Sequence, residues 1–299
     1  MVFRRLTAFV LFGLMALGLP SCAVRHRVFS RLAGHAPQPL LTASKDALAE
    51  AVARTYNAVH DFNATVDLTP ALGSAEQGKI TEYKDVRAYI LFRKPARLRL
   101  IGLYPVVRNM AFDMASDGLR FALYIPAKGR FLVGQNEIEQ PSANKMENLR
   151  PQHFVDALLV RPIENPSIAM LENYTDEDNA FYILHEIQEQ GGQLLLRRTI
   201  WFDRLKLTIV RQLAFDDQGN ILSDARYDGW RSWDNIPFPK HIVIDRPHDG
   251  YSVVVDVVKM DINKGVTDDK FVLNQPEGST LQVMGKAPAA ASAASPPRK

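Results

Sequence analysis

The sequence predicts a mainly β (α+β) fold: one large curved antiparallel sheet of about eleven strands with few helices. Three observations carry this. Apolar and polar residues alternate with period two through most of residues 62–260. One strong amphipathic helix precedes that alternation. Glycine- and Asp-containing pairs separate the runs in the manner of hairpin turns.

The helix comes first. Ser44 is a suitable N-cap, Asp46 suits the first turn, and Leu48, Val52, Tyr56 and Val59 form one stripe ending near His60. The period then changes to two. Phe62, Ala64, Val66 and Leu68 alternate with Asn63, Thr65, Asp67 and Thr69, as in a half-buried strand. Val86–Phe92, Leu98–Leu100 and Met110–Met114 follow, and Asp117-Gly118 turns the chain into Phe121–Ile125. Pro126–Gly129 leads into Phe131–Val133. A less regular stretch contains a short helix from Pro151, a good first-turn residue, to about Leu159. The meander resumes over Phe181–Ile187, Leu194–Phe202, Leu205–Phe215, Ile221–Tyr227, Lys240–Asp245 and Ser252–Met260.

The ends read differently. Arg4 and Arg5 precede an apolar run, Leu6–Gly18, too short to span a bilayer well, and Leu19-Pro20-Ser21-Cys22 follows. This ending resembles the bacterial lipobox, which implies cleavage after residue 21, diacylation of Cys22 and a chain bearing acyl anchors. A plain secretory signal with an incidental cysteine is the other reading. Ala23 stands where an inner-membrane lipoprotein would carry aspartate, so the outer membrane is the expected location. Residues 22–43, with Arg25, His26, Arg27 and Arg31 ahead of Pro37 and Pro39, read as a tether, and 285–299, rich in Ala, Ser and Pro, as a disordered tail. The folded domain is expected over 44–284.

Composition excludes several classes. At 46% hydrophobic residues the chain can bury a sizeable core. A formal net charge of +3, two of it on Arg4 and Arg5, provides no field for nucleic acid. One cysteine excludes internal disulfides and cysteine zinc sites.

Three near-motifs fail on chemistry. Gly73–Lys79 has P-loop spacing, but Ile80 stands where a magnesium-binding hydroxyl is needed. His185-Glu186-Ile187-Gln188-Glu189 lacks the second histidine of HExxH and alternates as a strand. Asp176–Asn179 lacks the glycine and further ligands of a calcium loop. No nucleophile elbow occurs. Nothing argues for an enzyme, and no metal or cofactor is implied.

Three segments in order carry a resemblance. Arg93-Lys94-Pro95 precedes alternating Leu98 and Leu100; Ser116-Asp117-Gly118 precedes Phe121, Tyr124 and Pro126; Asp269–Leu273 precedes Pro276 and Gly278. Together the chain resembles the LolA/LolB family of periplasmic lipoprotein carriers across most of 44–286. The resemblance implies a half-open barrel with helices on its concave side and an apolar cavity that receives acyl chains. Cys22 points to the lipid-anchored, LolB-like arrangement. By the same resemblance Tyr104-Pro105-Val106-Val107 matches a membrane-inserting loop, with rim packing of the valines as the alternative. Lys94, with Arg93 before it, stands at the place of a cavity-closing basic residue, although lysine lacks arginine's planar fork.

The expected function is an outer-membrane lipoprotein that faces the periplasm and binds lipid or the acyl chains of lipoproteins. The alternative is a structural or stress-sensing envelope lipoprotein using the same fold to bind a protein partner.

Overall fold

The computed structural model describes residues 39–74, 78–136 and 150–284. The chain divides into two units, 1–40 and 41–299, and the architecture below is that of the second. The signal segment, Cys22, most of the tether, residues 75–77 and 137–149, and the tail from 285 lie outside the described residues.

Helix α1, Lys45–Ala58, begins where expected: the Ser44 hydroxyl accepts the Ala47 amide at 3.2 Å, and Leu48, Ala49 and Val52 are buried. Beyond it the alternation builds strands. β1 (Asp61–Ser74), β2 (Lys79–Glu82), β3 (Val86–Arg93), β4 (Arg97–Leu103), β5 (Met110–Ser116), β6 (Arg120–Ile125) and β7 (Arg130–Gln135) form the first half. Helix α2 follows at Pro151–Leu158. β8 (Met170–Thr175), β9 (Ala180–Gln190), β10 (Gln193–Asp203), β11 (Thr208–Phe215) and β12 (Ile221–Asp228) lead to a small hairpin, β13 (Arg231–Trp233) and β14 (Ile236–Phe238). β15 (His241–Arg246), β16 (Tyr251–Ile262) and the short β17 (Thr280–Val283) end the described chain.

Fifteen strands join in one sheet ordered β17-β7-β6-β5-β4-β3-β1-β16-β15-β12-β11-β10-β9-β8, with β2 alongside β1. This corrects the expected count of eleven. The additional strands are short or polar: β2 has every residue exposed and β8 all but one, so neither leaves an alternating apolar signature. Pairing is antiparallel except for β17, which runs parallel to β7. β11 starts at Thr208 rather than Leu205. The Leu207 amide donates to the Asp203 carbonyl at 2.7 Å, and this turn occupies residues read as strand.

The long β1–β16 pairing, Phe62↔Ile262 through Leu72↔Tyr251, joins the two halves at the centre of the sheet. Both strands bury alternate residues on the helix side. Phe62, Ala64, Val66 and Leu68 meet Val253, Val255, Val257, Met260 and Ile262 in one core that includes the buried faces of α1 and α2. The Asp117-Gly118 hairpin forms as expected. The Asp117 carboxylate accepts the amides of Leu119 and Arg120, and Gly118 takes φ +101°, which a side chain resists.

Candidate functional site

The β4–β5 hairpin carries the loop Tyr104-Pro105-Val106-Val107. It is closed by three backbone bonds. The Tyr104 amide donates to the Asn109 carbonyl at 2.8 Å, Arg108 to Tyr104 at 3.1 Å and Val107 to Pro105 at 2.9 Å. The last of these is a γ-turn centred on Val106, at φ +72°. For a β-branched residue this is a strained conformation. The turn lifts Val106 into solvent at 96% exposure, with Val107 at 65%. Neither valine packs on the rim. Arg108 follows, also at positive φ, and Tyr104 and Met110 flank the tip with part of their surfaces exposed.

Strand register places this tip beside the outer end of β1–β2. β3 pairs with β4 from Arg93↔Arg97 to Arg87↔Leu103, so Tyr104 emerges next to Val86, where Tyr83 and Ile80 are also exposed.

The resemblance-bearing segments converge at the opposite end of the sheet, around the β3–β4 turn. Arg93 pairs with Asp268, donates to the Val266 carbonyl at 2.7 Å and lies 5.5 Å over the Phe271 ring. Arg97 also pairs with Asp268, and Arg99 donates to the Lys270 carbonyl at 2.9 Å while holding buried Asp113 at 2.7 Å. Alternate arginines on the outer face thus clasp the 266–271 segment, and that segment's buried Phe271 closes over them. Lys94 points the other way. Its ammonium sits 3.7 Å from the Tyr56 ring centroid and donates to the Tyr56 carbonyl in the last turn of α1, where unpaired carbonyls favour a cation. Burial lowers the Lys94 pKa. Lys94 therefore ties the sheet to a helix, whereas Arg93 braces the outer face.

Among the described residues, α2 packs against the concave side of the sheet. Phe154, Val155, Leu158, Leu159 and Val160 of α2 and its C-terminal extension belong to the core. The apolar cavity beneath them, lined by Val52, Leu158, Ile209, Tyr227, Trp230 and Phe238 among others, holds about 20 Å³. Ligand pockets for lipid-sized molecules span roughly 300–1,000 Å³. Among the described residues, side chains of α1, α2 and the sheet occupy this part of the concave side.

Polar bonds pin α2 at both ends. The Tyr227 hydroxyl donates to the Ala157 carbonyl at 2.9 Å and Gln212 to Asp156 at 3.2 Å. At the other end His153 Nδ1 lies 2.6 Å from the Tyr251 hydroxyl, and its Nε2 is 3.1 Å from an Arg246 nitrogen. Burial first, then the charges of Arg246 and Arg150, hold His153 well below the usual histidine range. Burial also pushes the Tyr251 and Tyr227 hydroxyls up.

Of the near-motifs, Gly73–Lys79 lies partly outside the described residues. His185 and Glu186 lie on β9, paired with Glu172 and Arg198. Asp176 caps its own turn. Among the described residues no cluster of three or more metal-ligating side chains occurs, and no helix is long and apolar enough to cross a membrane. An open polar cleft of about 400 Å³ lies near Asp67, Asp85, Lys240 and Asp256. Asp67 and Asp256 in it are already engaged by Arg87 and His241.

Three solved structures match about three quarters of this chain, each with a TM-score below 0.5. A LolA-superfamily protein from Nitrosomonas europaea superposes with a TM-score of 0.47 at 12% identity, covering 75% of this chain and 97% of that one. A DUF1329 family protein from Desulfovibrio piger gives 0.49 at 17% identity, covering 76% and 95%. A domain from Vibrio parahaemolyticus named for outer-membrane lipoprotein sorting gives 0.47 at 12%, covering 75% and 94%. No protein-family model and no curated protein matches the chain.

Sequence reading missed two features. The packing of the concave face depends on where α2 docks, which local periodicity does not specify. The margin formed by β8 is made of mostly exposed residues in a stretch read as irregular, and no alternating burial marks it.

Proposed function

We propose that this protein is a periplasm-facing lipoprotein of the outer membrane, anchored through Cys22, that docks on a bilayer through the β4–β5 tip and handles lipid or lipoprotein acyl chains. The reading assigns it no reaction. The supporting observation is Val106: a β-branched residue in a strained turn with its side chain almost wholly in water. Such a conformation has no return in packing within the protein, and it is the kind of strain that accompanies a binding role. Burial in a bilayer interface would return roughly 1 kcal/mol or more per valine. Tyr104 suits the interface, and Arg108 suits lipid phosphates.

Where α2 packs against the sheet, acyl chains would enter by displacing it. Lys94 would then hold α1 in place while α2 swings from its bonds to Tyr227, Gln212 and Tyr251. The packed core also favours a second reading, in which the body binds an envelope protein partner.

Val106→Glu tests the first reading. The variant should fold with unchanged circular dichroism and melting temperature, yet bind phosphatidylethanolamine/phosphatidylglycerol vesicles at least about fivefold more weakly, the equivalent of about 1 kcal/mol. Equal vesicle binding by both proteins would remove the basis for a membrane-docking tip.

A further inference from the structure

We infer that β8 is a docking edge for an extended peptide of a partner protein, added as a further strand with a basic residue opposite Glu172. This deepens the protein-partner reading above and does not depend on the membrane tip.

β8 stands at the margin of the sheet, bonded to β9 on one side and to no strand on the other among the described residues. Soluble proteins usually guard such edges with prolines, inward charges, bulges or very short strands. The opposite margin follows that rule, since β17 has four residues. β8 does not. It has six residues, Met170-Leu171-Glu172-Asn173-Tyr174-Thr175, with no proline and no cation. Its pairing to β9 runs from Met170↔His185 to Thr175↔Ala180 without a register shift, while β9–β10, β10–β11 and β11–β12 each contain one. Its single charge, Glu172, is contacted by His185 at 2.9 Å and keeps about half of its side-chain surface open.

The strand is also pre-ordered. Asn173 accepts from Arg204 at 2.7 Å, and Arg204 stacks 4.5 Å over Tyr182, so the concave side of the edge is held. On the outer face Tyr174 lies 6.3 Å from Phe181 and 6.1 Å from Trp201, forming an aromatic floor. Met170 is 60% exposed and Tyr174 37%. Ordering the edge therefore adds little to the cost of binding.

These features define the occupant. Added strands gain affinity from backbone bonds and specificity from alternate side chains. On the outer face β8 offers apolar, acidic, apolar at Met170, Glu172 and Tyr174. The complement is apolar, basic, apolar at alternate positions. A second copy of β8 contains no cation and cannot supply it.

The experiment uses a synthetic Val-Thr-Val-Thr-Lys-Thr-Val-Thr-Val peptide, the same peptide with Glu for Lys, and an N-methylated form unable to pair along one edge. Binding is followed by calorimetry and amide hydrogen exchange on the whole protein. The expected result is saturable binding of the Lys peptide and exchange at β8 slowed at least about tenfold. Binding should be at least about fivefold weaker for the Glu peptide and absent for the N-methylated one. Glu172→Lys should reverse the preference, and Met170→Lys with Tyr174→Lys should abolish binding while circular dichroism stays unchanged. Absence of saturable binding, equal binding of the N-methylated peptide, or a sedimentation dimer lost on Met170→Lys would each overturn the proposal. Vesicle binding of the same variants reports on the β4–β5 tip alone and is expected to be unaffected.

Discussion

Replacing Val106 with glycine should leave the protein as stable or more stable and at the same time loosen its hold on a bilayer. At φ +72° a residue bearing Cβ is penalised by about 1–2 kcal/mol, and β-branching adds to that. Glycine removes the penalty but adds about 0.5–1 kcal/mol of unfolded-state entropy. The side chain is 96% exposed, so its removal costs no packing. The net change is a stabilisation of about 0–1.5 kcal/mol, or a rise in Tm of up to about 5 °C in a body of this size. In vesicle binding the sign reverses. A valine buried at an interface contributes about 1–1.5 kcal/mol, so its loss should weaken partitioning about five- to tenfold. Scanning calorimetry and vesicle co-sedimentation on one preparation read both quantities. A fall in Tm beyond about 3 °C would mean that the valine packs against the body and the strain argument is wrong. Unchanged partitioning would remove the membrane from the argument.

Two further outcomes are expected. His153 is kept neutral in the folded protein, with a pKa below its unfolded value. The unfolded chain therefore takes up a proton first as pH falls, and the stability this group contributes is complete above about pH 7 and declines below about pH 6.5. Melting curves of the wild type and His153→Gln between about pH 7.5 and 5.5 should converge toward the acid end, and parallel curves would show that His153 does not titrate differently on folding. Separately, Cys22→Ser should abolish acylation and membrane retention of the full chain. A lipidated peptide beginning at residue 22 in the wild-type membrane fraction is the matching mass-spectrometric signature, and unchanged membrane association of the variant would refute the lipobox reading.

Much of the fold was legible because one-sided burial leaves a local trace. β1, β3 and β4 bury every second residue against the helices, so Phe62–Leu68, Val86–Phe92 and Leu98–Leu100 alternate visibly. α1 announced itself through Ser44 and the Leu48–Val52–Tyr56 stripe, with its end observed at Ala58. The sequence left the valines after Pro105 open between projection and rim packing, and only the structure places Val106 and Val107 in solvent. The strands that escaped notice are short, as β2, β13, β14 and β17 are, or hardly buried, as β2 and β8 are, and periodicity is visible only where several residues are buried.

The residues by themselves thus determined most of the longer strands, where the first helix begins, the Asp117-Gly118 hairpin, and that Lys94 and Arg93 differ in chemistry. Only the tertiary structure decided that these neighbours serve opposite faces, because a strand sends successive side chains to opposite sides and its end then meets α1 on one and residues 266–271 on the other. It also decided that β1 lies against β16, a pairing about 190 residues apart in the chain that no local signal encodes. Finally, it decided that α2 packs against the concave face and that, among the described residues, β8 is an edge. Both depend on what stands next to an element in space, which is a property of the packed chain as a whole rather than of any window along it.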